Sequence, residues 1–323
     1  MNDTNLKFAN KLELRYVFND RSYYMDAWIL QRCEKEVLTL VRTLADMLDV
    51  KLRVYNEPHD KMNGFREKLA VAGEDSRAIS VIINMFMRIL SCPSLSVGGQ
   101  LLVDRSEEDE AQMQKEIALL RRGLRLKDPG VTPSKRLLEL LNRSPRFCKC
   151  KSNFFEALKG YPKVVKLTMR ELNEKDRSRS GVLEVKREQF DYFILRTDDL
   201  PNIKDNRASI EIISPVLKDS KYRWKGIYNK GGETIDFYMQ DEEFKKQMFD
   251  DKISFTSGMC IECVLEINRK LSELGEVINV SYVVTTVIRT RFDKLEIVTP
   301  QGKRHLRKLE AEKKQLTLDL FDY

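Results

Sequence analysis

The spacing of apolar residues changes once along the chain, near Tyr161-Pro162, and this change constrains the fold more than any other feature. Before it, apolar residues recur mainly every three to four positions. Met25, Trp28, Ile29, Val37, Leu40, Val41, Leu44 and Leu48 mark one face of a helix over 22–48. EDSRAISVIINMFMRILS is apolar nearly all round, which predicts a buried helix. Ser106-Glu-Glu-Asp109 resembles a capping box, with Asp in place of Glu or Gln, and opens a helix to about Leu126. SKRLLELLNRS and SNFFEALKGY predict two short helices. Only the beginning departs from this. Leu12, Leu14, Tyr16 and Phe18 alternate, and so does VKLRVY at 50–55, giving a strand–helix–strand opening.

Beyond Pro162 the period falls to two. KVVKLTMREL, GVLEVKREQFDYFILR, ASIEIISPVL, YRWKGIY, ETIDFYM, KISFTSGMCIECVLEI, INVSYVVTTVIR and KLEIVT follow one another, separated by turn formers such as DDLPN, NKGGE and TPQGK. One short helix, DEEFKKQMF, interrupts them. The expected class is α+β. Residues 1–160 form a mainly α-helical domain with the small strand–helix–strand start. Residues 161–300 form a mostly antiparallel β sandwich or barrel, and 301–323 a charged helix and tail.

Candidate chemistry is sparse. No phosphate loop, dinucleotide fingerprint, nucleophile elbow or zincin helix occurs, so no cofactor is expected. The pairs Cys148/Cys150 and Cys260/Cys263 total four thiols. Cys260 and Cys263 stand three apart on a predicted strand and so face opposite ways, and no metal site is expected. VLEVK at 182–186 resembles the second half of the PD-(D/E)xK nuclease motif. Glu184 and Lys186 are therefore the only catalytic candidates, with Glu171, Glu174 and Asp176 as carboxylates that a metal would need nearby. No run approaches the roughly 20 apolar residues of a membrane span, and no signal peptide is evident. A cytoplasmic protein without a membrane partner is expected.

The charge of +7 is unevenly distributed. Arg143, Arg146, Lys149, Lys151, Lys159, Lys163 and Lys166 face a single acid, Glu156, with Phe147, Phe154, Phe155 and Tyr161 interleaved. Cations neutralise phosphates, and accessible rings stack on bases. In KYRWKGIYNK, strand geometry puts Lys221, Arg223 and Lys225 on one face, with Tyr222 and Trp224 directed to the core. Both segments are candidate contacts to DNA or RNA.

The chain closes with KRHLRKLEAEKK, read as a charged helix, and QLTLDLFDY. Gln315, Leu316, Leu318, Leu320 and Phe321 form Q-L-x-L-x-L-F, which resembles the peptides that hold the bacterial sliding clamp. The resemblance spans about seven residues and implies nothing about the rest of the chain. It implies that Gln315 enters a polar subsite, that Leu316 supports it, and that Leu318, Leu320 and Phe321 fill an apolar pocket. A closing edge strand fits the same alternation. The expected function is a DNA-associated accessory protein of a bacterium or mobile element, recruited to a clamp. An oligomeric scaffold or sensor-effector subunit, assembling with itself or a partner protein in a phage-defence or plasmid-maintenance system, is the alternative. A metal-dependent nuclease ranks third.

Overall fold

A computed structural model describes residues 7–57, 64–93, 96–97, 100–101, 107–216, 222–229, 232–250, 258–292 and 295–319. The chain divides into two compact units. One comprises Met1–Asp199 with Leu271–Glu276, the other Leu200–Lys270 with Val277–Tyr323.

The first unit is framed by a sheet. β1 (Lys7–Phe18) leads to α1 (Ala27–Leu48), β2 (Leu52–Glu57), β3 (Phe65–Gly73) and α2 (Ser76–Ser91). The two-residue strands β4 (Ser96–Val97) and β5 (Gln100–Leu101) pair with each other. α3 (Glu107–Arg125), α4 (Lys135–Asn142), α5 (Pro145–Lys159), β6 (Val164–Asn173) and β7 (Leu183–Lys186) follow. The sheet order is β2-β3-β1-β6-β7, antiparallel throughout. β1 earns the centre by its alternation. Leu12, Leu14 and Tyr16 are fully buried beneath the helices, in one core with Leu40 and Leu44 of α1, Phe86 of α2 and Phe155 of α5. Its other face carries Glu13, held by Arg170 of β6 at 2.7 Å and Arg66 of β3 at 3.5 Å. α1 starts where Asp26 accepts hydrogen bonds from the Trp28 and Ile29 amides, and it stops at Asp49 in the left-handed region.

Buried carboxyls also sit on the core face, among them Glu171 of β6 opposite Leu12 and Glu67 of β3. Glu67 of β3 lies opposite Leu14 and is fully buried. The Tyr16 hydroxyl donates to one of its oxygens at 3.2 Å, and the other has no partner. Burial, followed by the nearby charge of Glu34, pushes the Glu67 carboxyl up to about 7.

The second unit is a barrel. Its elements are β8 (Asp199–Ser214), β9 (Trp224–Tyr228), β10 (Glu233–Met239), α6 (Glu242–Phe249), β11 (Cys260–Leu271), β12 (Val277–Phe292), β13 (Leu295–Val298) and α7 (Pro300–Asp319). The strand order β10-β9-β8-β11-β12-β13 closes on itself, because β10 also pairs in parallel with β12 through Phe237↔Tyr282, Tyr238↔Val283 and Met239↔Val284. Ile210, Trp224, Phe237, Ile261, Leu265, Val284 and Val287 fill the interior, with Phe244 and Met248 of α6 packed among them. β9 lies close on β8 only because residue 226 is glycine. A Cβ there would stand 2.5 Å from Ile210 Cγ2 and 2.7 Å from the Glu211 carbonyl oxygen.

The closure is locked by one carboxylate. Asp241, only 5% exposed, accepts from the Phe244 amide at 2.9 Å, capping α6. Its second oxygen accepts from the Val287 amide of β12 at 2.7 Å and from Gln301 Nε2 of α7 at 3.2 Å. Thr299 donates to the Ile288 carbonyl at 3.1 Å and accepts from the Gly302 amide at 2.9 Å. Gly302 lies so near β12 that a Cβ would be 2.0 Å from the Ile288 oxygen.

This architecture corrects the expected class. Among the described residues helix and strand hold nearly equal shares, about 39% and 37%, and the N-terminal half is not mainly helical but is organised on a five-stranded sheet. The strands after residue 160 do not form one sandwich or barrel either. β6 and β7 pair with β1, and the barrel begins at β8. The missing piece is β3: FREKLAVAG is buried on both faces for most of its length, so it lacks the alternation that marks a half-solvated strand.

Two outcomes follow. Asp241→Ala leaves the Val287 and Phe244 amides without their acceptor, so it should cost about 2–4 kcal/mol, read as a lower urea midpoint of the barrel. Glu67 is protonated in the folded state at pH values where the unfolded chain has already ionised. Its contribution therefore falls as pH rises from about 4.5 to 7, by about 3 kcal/mol at most. Stability measured by urea unfolding between pH 5 and 8 should decline over that window, and Glu67→Gln should flatten the decline.

Candidate nucleic-acid interface

The outer face of β9 and β10 follows from the period of the strands that build it. In β9, Trp224 and Gly226 point inward and Lys225 outward. In β10, Ile235, Phe237 and Met239 point inward, leaving Thr234, Asp236 and Tyr238 outside. The register sets Phe237 opposite Trp224 and Asp236 opposite Lys225. The Trp224 ring packs 6.0 Å from Phe237 and 6.5 Å from Phe244, anchoring the strand. Arg223, exposed at the mouth of β9, donates from Nε to the Tyr238 hydroxyl at 3.0 Å, and its guanidinium carbon stands 5.0 Å from the centre of that ring. The hydrogen bond raises the Arg223 pKa further above its ordinary value. Tyr222 precedes the strand and is 74% exposed. Its ring lies outside, whereas the alternation directed it to the core.

The surface thus combines an exposed ring, a guanidinium held over a second ring, and the Lys225 ammonium. Among the described residues neither Arg223 nor Lys225 has a carboxylate partner within ion-pair distance. The outer face of the other strands differs. There Glu262 takes Arg289 at 3.1 Å and Arg291 at 3.3 Å, Glu296 also pairs with both arginines, and Lys204 pairs with Glu266 at 2.7 Å. Lys221 lies outside the described residues.

The cations between Arg143 and Lys166 do not form one stripe. Lys149 and Lys151 are buried on α5. Lys149 pairs with Asp198 at 2.7 Å. Lys151 donates to the Cys92 carbonyl at 3.1 Å and to Asn142 Oδ1 at 2.9 Å, and burial depresses its pKa. Lys159 pairs with Asp191, and Lys166 with Glu184 at 3.1 Å. Lys163 bonds the Tyr24 carbonyl at 3.1 Å and covers the Phe18 and Tyr24 rings. Arg143 and Arg146 are exposed. Phe147, Phe154 and Phe155 belong to the core.

Glu184 and Lys186 are exposed on β7, with Glu184 opposite Thr168. Two of the three carboxylates named beside it, Glu171 and Asp176, are engaged elsewhere. Glu171 accepts from Asn84 at 2.9 Å, and Asp176 pairs with Lys11 and Lys68 at 3.0 Å each. Lys11, then Lys68, hold the Asp176 carboxyl below its usual range. Among the described residues no group of three or more His, Cys, Asp or Glu side chains could hold a metal ion. Cys263 lies in the barrel interior, Cys260 is half-buried, and Cys148 and Cys150 are buried in the first unit. Among the described residues no helix is long and apolar enough to cross a membrane.

The backbone of 315–319 is helical and continues α7, not an extended strand. Gln315, Leu316 and Leu318 therefore lie on the last turns of that helix. Leu320 and Phe321 lie outside the described residues, as does Ser106 of the capping box.

No family model, no curated protein and no solved structure matches the chain.

Proposed function

We propose that the protein is a DNA-associated accessory factor of a bacterium or mobile element. It holds single-stranded nucleic acid on the β9–β10 face of its barrel, and its terminal peptide tethers it to a sliding clamp. The observation that carries the reading is the Arg223–Tyr238–Lys225 surface beside exposed Tyr222, where two cations face one nearby carboxylate, Asp236, with no ion pair formed among the described residues. Rings supply sequence-tolerant stacking and cations track the phosphates. The barrel's connectivity supports the reading by analogy. Strands β8 to β12 run in the order 1-2-3-5-4-1, with a parallel pair between the third and fifth and a helix after the third. This is the connectivity of OB-type barrels, whose second and third strands form an oligonucleotide-binding face, although one fold serves many functions.

For the tether, Gln315, Leu316, Leu318, Leu320 and Phe321 supply the pattern, and the charged stretch 303–314 precedes it. Docking as an extended peptide requires the final turn of α7 to open, which costs little at a helix end. Burial of three apolar side chains offsets this and the loss of free motion, leaving micromolar affinity, about −8 kcal/mol.

Fluorescence anisotropy with labelled oligo(dT) tests the first part. Binding should weaken with salt, with a log–log slope near −0.7 per phosphate contacted. Arg223→Ala with Lys225→Ala should make that slope shallower by about 1.4, and Tyr222→Ala should cost about 1–3 kcal/mol if its ring stacks on a base. No retention of oligo(dT) at low salt would remove the proposal.

Pull-down on a bacterial sliding clamp tests the second part. The intact chain should be retained and a chain ending at Lys314 should not, while both bind oligo(dT) equally. Equal retention of both on the clamp would sink the tether.

A further inference from the structure

The first unit carries a cleft of about 450 Å³ that the reading above does not use. One wall is a face of α2, where Arg77, Ser80, Asn84 and Arg88 recur at helical spacing. The second is the connection from Asp128 to Pro133, and the third is Arg179, between β6 and β7. We propose that this cleft binds the di- or triphosphate of a nucleotide.

Three guanidinium groups converge there against one lining carboxylate, Asp128, which already accepts from the Gly130 amide at 2.9 Å. Each guanidinium has five donors. Arg77 donates to the Lys127 carbonyl and stands 3.8 Å from Asp75, and Arg179 donates to Asn10 Oδ1, whereas the exposed Arg88 has no side-chain partner among the described residues. Most of the donors therefore remain for a ligand, in the planar geometry that suits phosphate oxygens. Two fixed anchors, to Lys127 and Asn10, hold two of the forks in place before any ligand arrives.

Asn84 adds a second requirement. Its amide nitrogen donates to the Ser80 carbonyl at 2.8 Å and to Glu171 at 2.9 Å, which uses both hydrogens. The amide oxygen remains as an acceptor without a partner among the described residues. Glu171 itself is 2% exposed and stands behind Asn84, outside the lining. An acceptor beside three cations suits a ligand that is anionic at one end and carries N–H or O–H donors at the other. The remaining wall is apolar: Val81, Val131, Pro129 and Pro133 offer a surface for a base or sugar. It is pinned in place, since Val131 fills the space that Gly123 leaves open. A Cβ on residue 123 would be 2.5 Å from Val131 Cγ2. The volume lies within the range of small-ligand pockets.

Isothermal titration of the full chain with ADP, pyrophosphate, inorganic phosphate and adenosine tests this. ADP should bind most tightly, pyrophosphate more weakly, and adenosine not measurably. Arg88→Ala, which touches no fold contact of its side chain, should weaken ADP about tenfold or more, whereas Arg223→Ala with Lys225→Ala should leave ADP affinity unchanged. Absence of ADP binding at millimolar concentration, in protein with an unchanged melting temperature, overturns the proposal. So does unchanged ADP affinity in Arg88→Ala. Pyrophosphate binding as tightly as ADP would overturn the assignment to a nucleotide.

Discussion

Three elements of the barrel meet at the carboxylate of Asp241. It caps α6, accepts from the β12 backbone at Val287, and receives Gln301 at the start of α7. A carboxylate buried this far would be costly if left bare, and each of its hydrogen bonds offsets part of that cost. The parallel β10–β12 pairing lies immediately before it in the chain. Closure of the barrel, placement of α6 over its end and docking of α7 thus share one anchor. The inward packing of Trp224 against Phe237, which turns Lys225 outward, depends on the same closure.

The first unit uses charge differently. Glu13, Lys68 and Lys149 are buried but paired, on β1, β3 and α5 respectively. Glu67 and Lys151 are buried without an opposite charge, and in both desolvation shifts the pKa toward the neutral form. Such groups lower stability relative to an apolar core. Both are held by neutral hydrogen-bond partners, Tyr16 for Glu67 and Asn142 for Lys151.

Periodicity exposed the elements that are half-solvated and hid those that are not. β1 was legible because Leu12, Leu14 and Tyr16 alternate with charged residues, and α2 because its apolar run is long. β3 was not, because Leu69, Ala70, Val71 and Ala72 are buried in succession. Without β3 the opening reads as two strands attached to helices and not as a sheet awaiting β6. The basic run at 143–166 misled for a related reason. Lysine has a long apolar stem, and a helix can bury the head if a partner waits at the end of it, as Asp198 does for Lys149. Pairing across elements is invisible in a linear charge count. At the barrel face, Arg223 and Lys225 were legible from alternation, but Tyr222 was not, because the strand begins only at Trp224 and the period does not extend to its flank. Arg77 and Arg88 were overlooked within an apparently apolar helix, although their spacing puts them on one side of it.

The seating of Gly302 against Ile288 also determines reach. α7 is fastened to the barrel only a few residues after it starts, and it then runs to Asp319. At 1.5 Å per residue, its 20 residues span about 30 Å. A rigid rod of that length acts as a spacer, not as a leash. The part of α7 that stays helical when a partner engages the terminal residues sets how near that partner comes to β12. A flexible linker of equal contour would let the two ends collide at will, whereas the helix excludes close approach and concentrates its partner in a shell of defined radius.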